Sequence, residues 1–430
     1  GWGDGVGGVT ELVGWFRCKR HCQNRTYESR NHRRKLNPHP RPLAARGSGE
    51  ERACRGAKIH MTASLPTPFD LDMMRIALRV AARGLGNTAP NPAVGAVIAN
   101  ETTGEIIARG WTGPGGRPHA ETEAIRRAGP RATGATLYVT LEPCAHFGKT
   151  PPCADAIVTA GLSRVVVGTL DPDPRTAGMG IAKLRAAGIP VTENVLEPEA
   201  RWLTRGHILR ITDNRPFVTL KLATDADGRV AAGDGTAARW VTGPQARTAG
   251  HKFRAEADAI LIGAGTLRAD NPDLTCRLPG LALRSPVRVV LAGRAALDPS
   301  AKIFVTAAAV PVLVIRAGAA LASDHDLAAR GAEVVELPET SIRTVLAALA
   351  ARGITRLFVE GGPTIWRNFA AAGLVDEVVL FMAGPPNVEK ANSALQHYVS
   401  SLTLQTTAGR PRPAGADTMW RLRSDHACAT

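Results

Sequence analysis

Short runs of β-branched and small apolar residues alternate with amphipathic stretches along most of this chain, in two separate series. In the first, residues 93–99 (AVGAVIA), 136–140 (TLYVT) and 164–169 (RVVVGT) have the length and composition of buried strands. Helical patterns accompany them at 70–83, where Leu71, Met74, Ala77, Leu78 and Ala81 share one face, and at 119–129, 153–161 and 180–188. Strands that alternate with helices in this way are satisfied by a sheet layered with helices, so the class is α/β.

Beyond 197–216 the pattern restarts. Strands are expected at 217–223, 259–265, 287–293, 310–316 and 356–362, helices at 341–352 and 364–373, and a last strand near 417–423. No fixed period relates the two series, so the second is a distinct α/β domain and not a duplicate. The boundary is placed near residue 205, within about ten residues, giving 61–205 and 206–430.

Residues 1–60 belong to neither series. They show no sustained hydrophobic period and mix Arg with Gly and Pro, and a capped helix begins only after Met61. This segment is read as a disordered or spurious upstream extension, with Met61 as the natural start. It holds 13 Lys/Arg against 5 Asp/Glu, so it carries +8 of the net +15 and leaves +7 for the rest. That remainder suits an enzyme of phosphorylated metabolites as well as a nucleic-acid binder. No apolar run is long enough to span a bilayer, so no membrane role is expected.

The seven cysteines are Cys18, Cys22, Cys54, Cys144, Cys153, Cys276 and Cys428. An odd number without a regular framework points to a reducing cytoplasm. Cys18 and Cys22, with His32 or His39, could imitate half of a zinc site, but they lie in the segment without core periodicity. Cys144 and Cys153 are different. They bracket the rigid loop of LEPCAHFGKTPPC (141–153), one strand after PHAETEA (118–124).

One imidazole, His119, and two thiolates, Cys144 and Cys153, make a three-ligand zinc set with a fourth position left for water, as hydrolysis requires. Glu121, two residues from His119, can reach that water, whose pKa zinc lowers toward neutrality, and shuttle its proton. Cys153 opens a helix, where the N-terminal dipole favours a thiolate. The zinc nucleobase deaminase signature is H-x-E followed by P-C-x-x-C; here His119-Ala-Glu121 and Pro143-Cys144 are followed by eight residues before Cys153.

With NPAVGAVI (91–98), these segments resemble the deaminase domain of the bifunctional riboflavin-biosynthesis deaminase–reductases, whose P-C-x₈-C loop is long where cytidine and tRNA-adenosine deaminases have a short one. The resemblance implies zinc on His119, Cys144 and Cys153, proton shuttling by Glu121, and Asn91 in the pyrimidine pocket; from sequence alone Asn91 equally suits a turn before Pro92. Ala145 stands where the family often has Ser. His146 reads as a substrate or outer contact and not as a ligand.

The second half offers KLATDADGR (221–229), RWVTGPQAR (239–247), residues 253–277 and FVEGGPTIWRNF (358–369). Gly361 and Gly362 could bring backbone N–H groups to a phosphate at a helix start, although a plain turn has the same sequence. In this order the segments resemble the reductase domain of the same family. The implied architecture is a cytidine-deaminase-like three-layer α/β/α domain followed by a dihydrofolate-reductase-like α/β domain that uses NADPH. By position, Ala223, Trp240, Thr266, Asp270, Gly362, Pro363, Thr364, Ile365, Trp366, Arg367 and Asn368 would contact the cofactor. Ala238, Arg254, Leu274, Arg277 and Glu360 would contact the substrate, with Arg254 and Arg277 as a clamp on its phosphate. Asp225 replaces the usual Ser, and the segment after Gly384 lacks the family's Gly-rich stretch.

The resemblance thus implies deamination of 2,5-diamino-6-(5-phosphoribosylamino)pyrimidin-4-one followed by reduction of its ribosyl group. The expected partners are that phosphorylated pyrimidine and further copies of the chain in a homo-oligomer, with neither nucleic acid nor membrane. Two rivals stand beside it: a tRNA or nucleoside deaminase fused to an unrelated domain, and a nucleic-acid-binding protein with a basic arm and a structural zinc.

Overall fold

The computed structural model describes residues 65–230, 241–402, 404–405 and 410–424. The expectations for residues 1–60, for Ala238 and for Trp240 therefore lie outside the described residues. Met61–Thr430 group as one unit carrying two sheets.

The first helix, α1 (Pro68–Ala81), starts where the sequence offers a stop on both sides. Thr67 Oγ1 accepts from the Asp70 N–H (3.1 Å) while Asp70 accepts from the Thr67 N–H (2.8 Å), a reciprocal cap. Strands β1 (Gly95–Asn100), β2 (Glu105–Trp111), β3 (Thr136–Val139), β4 (Arg164–Val167) and β5 (Val191–Thr192) form a sheet of order β2-β1-β3-β4-β5. β1 pairs antiparallel with both neighbours, and β3, β4 and β5 run parallel. Side-chain alternation then sorts the faces. Val97, Ala99, Tyr138 and Val166 pack on α1. Ala96, Ile98, Leu137, Val139, Val165 and Val167 pack on α2 (Ala120–Ala128), α3 (Cys153–Thr159) and α4 (Met179–Ala186). This is the expected three-layer domain.

A sixteen-residue helix, α5 (Glu197–Thr212), follows. The sequence reading leaves 197–216 as a break and puts the domain boundary near 205, so that boundary falls within a helix. Its apolar face was hidden because Gly206 and Arg205 are buried along with Ile208 and Leu209. Gly206 is required there: a Cβ would stand 2.5 Å from the Thr355 carbonyl oxygen of the second sheet's side.

The second sheet comprises β6 (Phe217–Thr224), β7 (Ala259–Gly263), β8 (Val287–Gly293), β9 (Val312–Ala317), β10 (Ala332–Leu337), β11 (Arg356–Val359), β12 (Glu377–Met382), β13 (Leu404–Gln405), β14 (Arg412–Ala414) and β15 (Asp417–Ser424). Its order is β10-β9-β8-β7-β11-β6-β12-β15-β13, with β14 paired to β15. It is parallel from β10 to β12 and antiparallel where β15 joins. Helices α10 (Ile342–Ala351), α11 (Pro363–Ala371) and α12 (Val388–Val399) cover one face. Helices α7 (Ala264–Asp270), α8 (Lys302–Val305) and α9 (Asp324–Ala329) cover the other, and α6 (Pro244–Ala255) lies over β12.

In the second series, two expected strands run past their observed ends. Residues 259–265 end as strand at Gly263, where α7 starts, and 356–362 end at Val359, where the Gly361–Gly362 turn leads into α11. The segment after Gly384 is a helix, α12, whose Tyr398 ring meets Trp366 edge-on at 5.6 Å. It walls the sheet without glycines. Asp225 is absorbed locally, its Oδ1 accepting from the Asp227 and Arg229 N–H groups (both 2.9 Å) to close the turn after β6.

Candidate active sites

Three elements bring the first constellation together. His119 is the residue before α2, with extended backbone and no capping bond, so its ring is free to turn toward the sulfurs. Cys144 follows β3 and Cys153 is the first residue of α3. His119 Nδ1 lies 3.3 Å from Cys153 Sγ and 3.7 Å from Cys144 Sγ, and the three ligand atoms fall within 4.8 Å of one another. A tetrahedral zinc with ordinary Zn–S and Zn–N lengths separates its N and S ligands by about 3.5 Å, so the set fits that ion. His146 is outside the group; its Nδ1 lies 3.3 Å from Thr176 Oγ1 on the cavity wall.

The electrostatics differ from expectation in one respect. The α3 amide of Cys153 donates to Cys144 Sγ (3.3 Å), so the helix start stabilises Cys144 and not its own cysteine. The Cys144 thiol is pushed down to about 4, first by its hydrogen bond with Cys153, while Cys153, sharing that proton and only 1% exposed, is raised. His119 is raised, chiefly by its contact with Cys144. Glu121, 4% exposed in the first turn of α2, is pushed up to about 7 by burial, against the pull of His119. A carboxyl near neutrality can both take and give a proton at working pH.

His119, Glu121 and Cys144 line a cavity of about 130 Å³ that also includes Asn91, with Cys153 buried behind them. Asn91 lines the cavity and also closes a turn. Its N–H closes a turn onto Thr88 O (3.0 Å) and its Nδ2 donates to Gly116 O (3.0 Å). Gly116 has φ +88, and a Cβ there would meet the Asn91 side chain at 2.7 Å. Sequence reading missed Glu142, whose buried carboxylate accepts from the N–H groups of Gly178 and Gly180 (3.0 Å each) and ties the loop before α4 to the Cys144 segment. It also missed Asp171, Asp173, Arg175, His207 and Arg210 on the wall. The acidic, proline-broken run DPDPRT was the available signal for the first three; His207 and Arg210 carried none.

The second site is a cleft of about 1050 Å³ along the carboxyl ends of the parallel strands, where such sheets bind ligands. It gathers Ala223, Thr266, Asp270, Gly362, Pro363, Thr364, Ile365, Trp366, Arg254, Leu274, Arg277 and Glu360. Arg367 and Asn368 are exposed and are not among its lining residues, because α11 turns its Ile365, Trp366 and Phe369 side inward. Lys221 and His251 also line it.

Arg254 departs from the expected phosphate clamp. Its Nε and Nη2 donate to Glu360 at 2.7 and 2.9 Å and its Nη1 to Thr275 O at 3.0 Å, so all three nitrogens are engaged within the protein. Burial raises Glu360, but Arg254 and then Lys221 more than reverse this and hold it at about 2. The exposed guanidinium at the rim is Arg277, braced by His251, which accepts from the Arg277 N–H (3.3 Å). Leu274 sits buried with φ +60, a strained backbone for a branched residue, fixing the turn between them. Thr266 Oγ1 donates to Gly361 O (3.0 Å), and a Cβ on Gly362 would approach that hydroxyl to 2.9 Å.

Residues 68–169 match the cytidine and deoxycytidylate deaminase zinc-binding region, and residues 216–385 match the RibD C-terminal domain. The riboflavin biosynthesis protein RibD of Aquifex aeolicus is 41% identical over 315 residues, 73% of this chain and 87% of that protein. Its namesake from Escherichia coli is 38% identical over 335 residues, 72% of this chain and 86% of that protein. The structure of Acinetobacter baumannii RibD superposes with a TM-score of 0.70 at 34% identity, over 83% of this chain and 99% of that one. A Thermotoga maritima structure, named as a diaminohydroxyphosphoribosylaminopyrimidine deaminase/5-amino-6-(5-phosphoribosylamino)uracil reductase, gives the same TM-score of 0.70, identity of 34% and coverage of 83% and 99%. A zinc-binding deaminase region, a reductase region and near-complete coverage of these relatives place the chain in the RibD family, the bifunctional deaminase–reductases of riboflavin biosynthesis.

Proposed function

We propose that the smaller cavity deaminates 2,5-diamino-6-(5-phosphoribosylamino)pyrimidin-4-one and that the larger cleft reduces the ribosyl group of the resulting 5-amino-6-(5-phosphoribosylamino)uracil with NADPH. The observation that carries this reading is the His119–Cys144–Cys153 triad with buried Glu121 beside it, in the same unit as a large cleft at a parallel sheet's carboxyl edge. The Thermotoga maritima relative, whose name contains both conversions, supports the choice of substrate.

His119, Cys144 and Cys153 would hold zinc, which when bound supplies Lewis-acid activation of the attacking water. Glu121 takes the proton of that water and returns it to the departing amine, a task for which a carboxyl raised to about 7 is poised. Asn91, anchored to Gly116, orients the pyrimidine.

In the cleft, NADPH supplies the hydride. Ala223, Thr266, Asp270 and Gly362–Trp366 form the cofactor side, where the α11 start and the glycine turn accept a phosphate. Leu274, Arg277, Glu360 and Arg254 form the substrate side. Arg277 meets the phosphate, and Arg254 acts by keeping Glu360 ionised. The deaminase occupies 61–205 and the reductase 206–430, with α5 shared between them. The reading includes a homo-oligomer working in the cytoplasm; among the described residues no helix is long and apolar enough to cross a membrane.

Supplying the diaminopyrimidine phosphate with and without NADPH tests this. Ammonia should appear in both cases, and NADPH should be oxidised only after deamination. Ammonia released from cytidine or from a tRNA adenosine, with no turnover of the pyrimidine phosphate, would replace this reading with that of a nucleoside or tRNA deaminase.

A further inference from the structure

Helix α5 stands where the chain passes from one sheet to the other, yet two of its side chains one turn apart, His207 and Arg210, line the deaminase cavity. His207 is 7% exposed, and its Nε2 lies 3.1 Å from Asp171 Oδ1. A carboxylate only accepts, so Nε2 carries the proton and donates. The same Oδ1 accepts from the Asp173 N–H at 2.9 Å, and Asp173 is gripped in turn by the Arg175 guanidinium (2.9 Å from Nε). The cavity wall at 171–175 is therefore pinned from outside by a donor on α5. His207 Nδ1 is buried with no partner among the described residues.

We propose that His207 is a positioning residue of the deaminase: through Asp171 it sets the wall against which the amino-bearing pyrimidine is received. The inference rests on reading the His119–Cys144–Cys153 cavity as the deaminase. It also means that the reductase side helps to build the deaminase site. α5 is seated on the second sheet by the close approach of Gly206 to Thr355 O, and Arg356 Nη1 donates to Leu203 O at 3.4 Å.

The test uses the full chain loaded with zinc and compares His207→Phe, His207→Gln, Asp171→Asn and the double variant His207→Phe/Asp171→Asn. Ammonia release gives kcat and KM, and NADPH oxidation with the deaminated substrate reports the other site. His207 bonds to neither Glu121 nor the three ligands, so its loss weakens binding of substrate and transition state alike. His207→Phe should raise KM about tenfold with kcat within about twofold of the parent, the scale of one buried hydrogen bond to a charged group. His207→Gln, which places an amide N–H near the position of Nε2, should recover KM to within about threefold. The double variant should be no worse than Asp171→Asn, since both changes remove one interaction.

An unchanged KM in His207→Phe, equal impairment by Phe and Gln, or multiplying effects in the double variant would overturn the proposal. So would loss of NADPH oxidation alongside ammonia release, which would make His207 a strut of the fold. A parent chain that releases no ammonia from the pyrimidine phosphate would instead bring down the deaminase reading itself.

Discussion

The Arg254–Glu360 pair is the interaction in the cleft whose loss can be given a magnitude. Both side chains are 14% exposed and meet through two bonds of 2.7 and 2.9 Å. Burial alone would raise Glu360; the guanidinium, with Lys221 behind it, takes it from an ordinary 4.5 to about 2. At about 1.4 kcal/mol for each tenfold change in proton affinity, that difference is worth about 3 kcal/mol. The folded pKa is depressed, so the contribution is complete above the unfolded value. It is lost as pH falls from about 4.5 through about 2. Arg254→Met leaves a buried carboxylate without its hydrogen-bonded ion-pair partner, offset only by the more distant Lys221, and should cost about 3 kcal/mol at pH 7. Amide hydrogen exchange in the buried cores of β7 and β11, which flank the pair, measures this as a local opening free energy. The cost should shrink on acidification toward pH 3, and Arg254→Met/Glu360→Gln should recover most of it. NADPH oxidation should fall in the single variant while ammonia release continues. A cost below about 1 kcal/mol at pH 7, or a double variant as unstable as the single, would refute the account of the pair as a buried, mutually neutralising unit.

Other perturbations separate the two sites. Glu121→Gln should keep its zinc by metal analysis yet lose ammonia release by a factor of about 10² to 10⁴, the usual worth of a general acid–base group; retained turnover would remove Glu121 from the proton path. Gly116→Ala forces a Cβ to 2.7 Å from Asn91 at a backbone φ of +88. It should raise the pyrimidine KM and leave NADPH oxidation unchanged, as steady-state kinetics on both steps would register. Tyr398→Ala removes the ring packed on Trp366 and the hydroxyl that accepts from the Val230 N–H (3.3 Å). It should cost about 3 kcal/mol by denaturant titration and lower NADPH oxidation more than ammonia release.

Much of this molecule could be read in one dimension because the relevant physics is local. Strands such as 136–139 and 164–167 are buried on both faces, so their apolar runs announce themselves, and Thr67 with Asp70 caps α1 within four residues. The zinc set was legible for a similar reason. Thiolate, imidazole and carboxylate are rare together, and their spacing follows from one helix start and one strand end. Elements whose burial is polar or one-sided were not legible. β2 is an edge strand with exposed Glu105 and Arg109, and α5 hides Arg205 and His207 inside. What the chain's order by itself determined is therefore the α/β class, the two series and the His119, Glu121, Cys144 and Cys153 cluster for which the zinc and proton-shuttle roles are proposed. Tertiary structure alone decided that Arg254 is held by Glu360, that Cys144 and not Cys153 receives the helix amide, and that α5 walls the deaminase cavity. Each depends on distances between segments from 9 to 106 residues apart, where a hydrogen bond or an ion pair forms only after the sheets have placed its partners.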